Sequence, residues 1–185
     1  YSHLVSEVIL RSQAQAHYSP ENIGHFGLAL KKYAHFTSPI RRYADLVVHR
    51  SLVRALGLGA GGLDEGEAAR IDEICMHISD TERVSMGAER NAVDRFTAAF
   101  LAERIGSEFS GRIQGVTRFG LFVALDETGA DGLVPIRSLP DDFYIHDEKR
   151  HALIGRRSRR VYRLGARVTV RLREADGLTG GTIFE

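Results

Sequence analysis

The residues best equipped for chemistry crowd into one stretch, Ser38-Pro-Ile-Arg41-Arg42-Tyr43-x-Asp45-x-x-x-His49-Arg50. A Ser-Pro pair reads as a helix start, with Ser38 as N-cap and Pro39 at the first helical position. Arg41 and Arg42 then stand beside backbone N–H groups that no helical carbonyl claims, and the helix dipole adds to their charge. An anion suits such a place, a phosphate above all. Arg41 is the candidate for gripping it. Asp45, one turn further on, either orients that arginine or simply pairs with it. Arg42 contacts the same polyanion or pairs with a helix neighbour, and Tyr43 next to it is a further candidate contact to that polyanion. Tyr33, His35, Tyr43 and His49 have no consistent ligand spacing, so they read as supporting wall rather than as a metal or acid/base cluster.

A second charged region lies further along the chain. Residues 126–148 hold seven acidic groups and one Arg, whereas residues 149–173 hold ten basic groups and no acid. Arginines at the density of Arg156, Arg157, Arg159 and Arg160 repel one another unless a polyanion or an acidic surface is near. Phosphate contact is the functional reading and a solvated strip the bland one. Asp141, Asp142, Asp147 and Glu148 could suggest a hard-cation site, but Phe143 and Tyr144 interrupt them and a solvated acidic loop is expected. The single cysteine, Cys75, cannot form an internal disulfide or a Cys-based zinc site, which suits a reducing, cytoplasmic setting. No apolar run approaches the roughly 18 residues of a membrane span, and no signal-peptide pattern opens the chain.

The elements that must position these groups follow from periodicity. Leu4, Val8, Arg11 and Gln15 suggest a first helix to about His17, stopped by Ser19-Pro20. Residues 20–36, with Gly24, Gly27 and the rings of His25, Phe26, Tyr33 and His35, read as loop around a short apolar core element. The second helix runs over about 39–56, and Gly57, Gly59, Gly61 and Gly62 break it. Asp64-x-x-Glu67 has the form of a capping box. Ile71, Ile74, Ile78, Val84, Ala88, Ala92, Phe96 and Phe100 then predict a long helix, irregular near Gly87 and closed by Gly106. Beyond it the period drops to two, through Phe109–Val116, Phe119–Leu125, Leu133–Pro135 and Val168–Leu172, with Gly and Asp turns between. The expectation is an α+β chain of 185 residues, with a helical part at 1–107 and an all-β part at 108–185.

Two segments carry a resemblance. Gly111-x-x-x-Gly115-Val116-x-x-Phe119-Gly120-x-Phe122-Val123-x-Leu125, followed by Asp131-Gly-Leu-Val-Pro135, resembles the S1 domain, a five-stranded RNA-binding OB barrel. The resemblance implies that Phe119 and Phe122 stack on bases. The alternative is barrel core, because residues three apart fall on opposite strand faces unless a bulge intervenes. Pro135 stands where that family often has His. The segment Gly24-His-Phe-Gly-Leu-Ala-Leu-x-x-Tyr33-x-His-Phe-Thr-Ser-Pro-Ile-Arg41-Arg42-Tyr43-x-Asp45-Leu-x-x-His49-Arg50 resembles the last signature of the RNB exoribonucleases, the ribonuclease II and ribonuclease R family. Tyr162-Arg-Leu-Gly165 and the arginines before it favour the ribonuclease R branch.

This family implies a processive 3'-to-5' hydrolase of RNA, with Arg41 stabilising charge at the phosphate. Glu89 corresponds to a position near the RNA path, or else sits on a solvated helix face; Arg95 stands where the family has Trp. The family's aspartate cluster, which binds two magnesium ions, belongs to an earlier motif that does not precede Gly24 here. The expectations are therefore a C-terminal piece of such an enzyme, single-stranded RNA and the enzyme's N-terminal part as partners, magnesium only in the complete enzyme and no metal on this chain. By itself the piece would be inactive. The rivals are a stand-alone RNA-binding module without catalysis and a protein-interaction domain with a vestigial barrel. Oligomeric state, RNA sequence preference and unwinding of structured RNA stay open.

Overall fold

The computed structural model describes residues 5–6, 9–10 and 12–185. Leu4, Val8 and Arg11, on which the first predicted helix rests, lie outside the described residues. Val5, Ser6, Ile9, Leu10 and Ser12 are helical, but residues 14–19 are not, so the helix stops short of His17. The Ser12 hydroxyl donates to the Ile9 carbonyl at 2.8 Å and the Gln13 N–H to the Leu10 carbonyl at 3.3 Å, a tightened turn that ends it. No helix among the described residues is long and apolar enough to cross a membrane.

Two compact units make up the chain, residues 14–87 and residues 1–13 with 88–185. In the first, residues 20–36 form a loop around a short 3-10 turn, Phe26–Leu28, bracketed by a bridge between His25 and Leu30. Its apolar side chains are not a core element as expected, since Phe26 is 95% exposed. Helix α1 is Tyr43–Leu56, with Arg42 as N-cap, four residues later than the Ser-Pro signal predicts. It ends at Gly57, whose φ of 63° is one that glycine tolerates best. Helix α2, Glu65–Ala69, carries the predicted capping box: Asp64 accepts the Glu67 N–H and Glu67 accepts the Asp64 N–H. The irregularity assigned to Gly87 falls instead at Arg70, between α2 and helix α3, Ile71–Ala102, which runs through Gly87 unbroken. The apolar stripe of α3 is also not the buried one, because Val84 and Phe96 are 73% and 79% exposed.

In the second unit, β1 (Glu108–Thr117), β2 (Gly120–Leu125), β3 (Asp131–Pro135), β7 (Arg167–Asp176) and β8 (Gly181–Phe184) close a barrel in the order β1-β2-β3-β8-β7. All its ladders are antiparallel except β3 with β8. Closure removes the open edges that the five strands would otherwise present. Ile113, Val123, Leu172 and Phe184 fill the interior with no exposed surface, each contributing about 1.5–3 kcal/mol of burial. The C-terminal part of α3 adds Leu101 to the same core. Gly132 lets β3 pass the closing strand, since a Cβ there would lie 2.6 Å from Phe184 and from the Thr182 carbonyl.

Between β3 and β7 the chain builds a separate antiparallel sheet of β4 (Tyr144–Asp147), β5 (Ala152–Gly155) and β6 (Val161–Arg163). The expected acidic loop is therefore partly strand. Leu153 is fully buried, and the Tyr144 hydroxyl donates to the Pro140 carbonyl at 2.8 Å.

Candidate nucleic-acid interface

The Ser38–Asp45 segment is organised by a buried carboxylate. Asp45, with no exposed surface, accepts the Ser38 N–H at 2.7 Å and the Arg42 guanidinium at 2.8 Å on one oxygen. Ser38 in turn offers its carbonyl to the N–H groups of Arg41 and Arg42, closing a turn over Pro39 and Ile40. This turn delays the helix to Tyr43: the Ser38 N–H goes to Asp45, and no side chain caps α1. Burial pushes the Asp45 carboxyl up, but the Arg42 guanidinium and the Ser38 N–H outweigh it and hold it below the ordinary carboxylate range.

Asp45 was expected to orient or pair with Arg41, and it takes Arg42 instead. Arg41 is left exposed, with no side-chain hydrogen bond or ion pair among the described residues. Tyr43, at the start of α1, is 48% exposed. Around the turn runs a chain of rings. The Tyr18 hydroxyl meets His35 Nδ1 at 3.1 Å, Tyr33 packs edge-on against His25 and His35, and Phe36 stacks on His49 at 4.2 Å.

On the barrel, Phe119 and Phe122 both stay out of the core. Phe122 is the outward residue of β2, flanked by buried Leu121 and Val123, and is 42% exposed. Phe119 is 62% exposed and belongs to the turn before β2, where strand alternation does not apply. The Arg118 guanidinium lies 4.7 Å from its ring centroid. Phe122 pairs across the ladder with Gly115, beside a bulge in β1; a Cβ on Gly115 would meet the Phe122 ring at 3.2 Å. Pro135 ends β3, paired with Gly120.

The four arginines of the β5–β6 turn behave differently from one another. Arg157 reaches Asp141 at 3.0 Å and lies 3.9 Å from Asp142. Arg160 donates to the Tyr162 hydroxyl at 3.4 Å. Arg156 and Arg159 are exposed and make no side-chain hydrogen bond or ion pair among the described residues. Glu89, mid-way along α3, is likewise exposed and unpaired. Among the described residues no three His, Cys, Asp or Glu side chains converge as metal donors.

Comparison with known proteins matches the two parts to two families. Residues 1–57 match the RNB domain and residues 103–184 the S1 RNA binding domain. Ribonuclease R of Aquifex aeolicus is 49% identical over 98% of this chain. This chain is similar to ribonuclease R in both of its parts.

It spans 26% of that ribonuclease R. Mycoplasma genitalium RNase R in complex with ribose-methylated single-stranded RNA superposes on 98% of this chain and 29% of its own, with a TM-score of 0.90 at 36% identity. The same RNase R in complex with double-stranded RNA covers 98% and 27%, with a TM-score of 0.69 at 28% identity. Against that ribonuclease R background, one residue of this chain escapes a reading of its motifs. Asp142, taken for a solvated acid, has a side chain only 1% exposed, buried against the arginine turn. Its signal in the sequence is faint, an acid directly before Phe143-Tyr144 in the strip that precedes the arginines.

Proposed function

We propose that this chain grips RNA within a processive 3'-to-5' hydrolytic exoribonuclease of the ribonuclease R type. Arg41 meets the phosphate near the bond to be cut, Phe119 and Phe122 give stacking faces to bases further along the strand, and the β5–β6 turn meets the backbone. The observation that carries this reading is the division of labour at the Ser38 turn. Asp45 takes Arg42 inward and leaves the Arg41 guanidinium exposed beside a helix N-terminus, where developing negative charge is best met. The likeness to an RNase R bound to single-stranded RNA supports the choice of ligand. Magnesium would belong to residues of the complete enzyme outside this chain, and no step here runs through it.

The test uses the complete protein. Arg41→Ala should slow single-turnover cleavage roughly 100-fold while changing RNA affinity little, because many other contacts share the binding. Arg41→Lys should restore only part of the rate, since lysine lacks the planar donor fork. Unchanged cleavage by a folded Arg41→Ala protein overturns the assignment. A second reading, a binding module that acts without hydrolysis, draws on the lack of a converging donor set among the described residues. It predicts that the complete natural protein binds single-stranded RNA but releases no nucleotides.

A further inference from the structure

The turn between β5 and β6 places Arg156, Arg157, Arg159 and Arg160 within five residues, a density that in a free loop would splay the side chains by mutual repulsion. One carboxylate ties down the backbone of this turn. Asp142 accepts the Ser158 hydroxyl at 2.6 Å, the Ser158 N–H at 2.8 Å, the Arg157 N–H at 3.0 Å and the Phe143 N–H at 2.7 Å. The turn is closed by the Gly155 N–H on the Arg160 carbonyl, and Arg159 is held in the left-handed region at φ 58°. Gly155 is required for this clasp, because a Cβ there would sit 2.5 Å from both the Asp142 carboxylate and the Ser158 hydroxyl. The same four donors, the Ser158 hydroxyl first, hold the Asp142 carboxyl far below the ordinary range. Beside it, Asp141, Asp142, Phe143, Arg156 and Arg157 line an open hollow of about 600 Å³.

We propose that Asp142 is a positioning residue that pre-orders the arginine turn for the RNA backbone, with Arg157 held as part of the clasp, so that phosphate contact at this edge falls to Arg156, Arg159 and Arg160. The proposal rests on the RNA-gripping reading above. An ordered turn binds more tightly than a loose one because less conformational freedom is lost on contact.

The experiment measures log affinity for a labelled single-stranded RNA against log salt on the full chain. The triple variant R156A/R159A/R160A should flatten the slope by about 2 units, at roughly 0.7 per phosphate contact on a single strand. Asp142→Asn, with all four arginines intact, should flatten it by about 1 unit, and Ser158→Ala should move it the same way. Arg157→Ala should flatten it less than any other single arginine variant. A fall in stability alone does not alter the slope of the folded protein. If Asp142 only competes with RNA for the arginines, Asp142→Asn must steepen the slope instead. A steeper or unchanged slope, with the triple variant effective, overturns the positioning role and leaves the RNA-gripping reading standing. An inert triple variant overturns the RNA contact of this turn and the proposal with it. If Asp142→Asn fails to fold, Ser158→Ala decides alone.

Discussion

Removing the Phe119 ring should weaken RNA binding at a stability cost well below that of removing a buried phenylalanine. Phe119 is 62% exposed, and Arg118 covers one face of its ring at 4.7 Å, leaving a π-face to offer a base. Stacking on an aromatic side chain is worth about 1–3 kcal/mol per base, or a change in Kd of roughly 5- to 150-fold. A fully buried Phe→Ala change costs about 3–5 kcal/mol, and only about two-fifths of Phe119 is covered, so Phe119→Ala should cost about 1–2 kcal/mol of stability. Phe184→Ala, at a position with no exposed surface, should incur the full cost. Fluorescence anisotropy with a labelled single-stranded RNA and thermal unfolding of the same samples separate the two effects. Phe119→Tyr keeps the ring and should bind like the parent chain, whereas Phe119→Leu keeps apolar area without a π-face and should bind like Phe119→Ala. Binding by folded Phe119→Ala within twofold of the parent would refute the stacking argument, and parental binding by Phe119→Leu would replace it with plain apolar contact.

Two further outcomes follow from buried polar contacts. Asp45→Ala should lower the thermal midpoint well below that of Arg41→Ala, because it strands Arg42 and the Ser38 N–H while Arg41 has no side-chain partner among the described residues to lose; equal midpoints contradict this. Asp45 and Glu67 are both held below their ordinary carboxyl range, Glu67 mainly by the Arg50 guanidinium. Depressed carboxyls contribute stability above their unfolded values and lose it as pH falls through the folded ones, so the midpoint should hold from neutrality to about pH 5 and fall below about pH 4. A fall already complete between pH 7 and 5 in a melting series would place the acid-sensitive group elsewhere.

What could be read from the sequence depended on how far each interaction reaches. The Asp64–Glu67 capping box spans three residues, and the Gly57 terminus sits within one turn of its helix, so residue order alone carries both. Strands β1 and β7 were legible because Phe109, Ile113, Val170 and Leu172 alternate with outward residues. The helix start failed because Ser-Pro is also a turn signal. The choice between the two was made by Asp45, seven residues from Ser38, whose carboxylate took the N–H that a helix start would have left free. The sheet of β4, β5 and β6 failed because its strands are only three or four residues long and the first holds His146 and Asp147. Arg50 is a still longer case, since its bidentate hold on Glu67 at 2.6 and 2.7 Å crosses seventeen positions.

The two basic motifs, unrelated in fold, share one physical arrangement. In each, an aspartate side chain almost without exposed surface, Asp45 at 0% and Asp142 at 1%, gathers a backbone N–H and organises the turn that carries the arginines. In each, one guanidinium is drawn to an acid, Arg42 to Asp45 and Arg157 to Asp141, while the neighbouring Arg41 or Arg156 is exposed with no side-chain partner among the described residues. A guanidinium paired with a buried carboxylate, as Arg42 is, gains little from a new anion, whereas an unpaired one on a fixed turn can meet a phosphate with less loss of freedom. Counting arginines therefore overstates the cationic surface at both sites. The buried carboxylates organise both turns; at the Ser38 turn the same carboxylate also takes Arg42, whereas at the β5–β6 turn the exposed Asp141 takes Arg157.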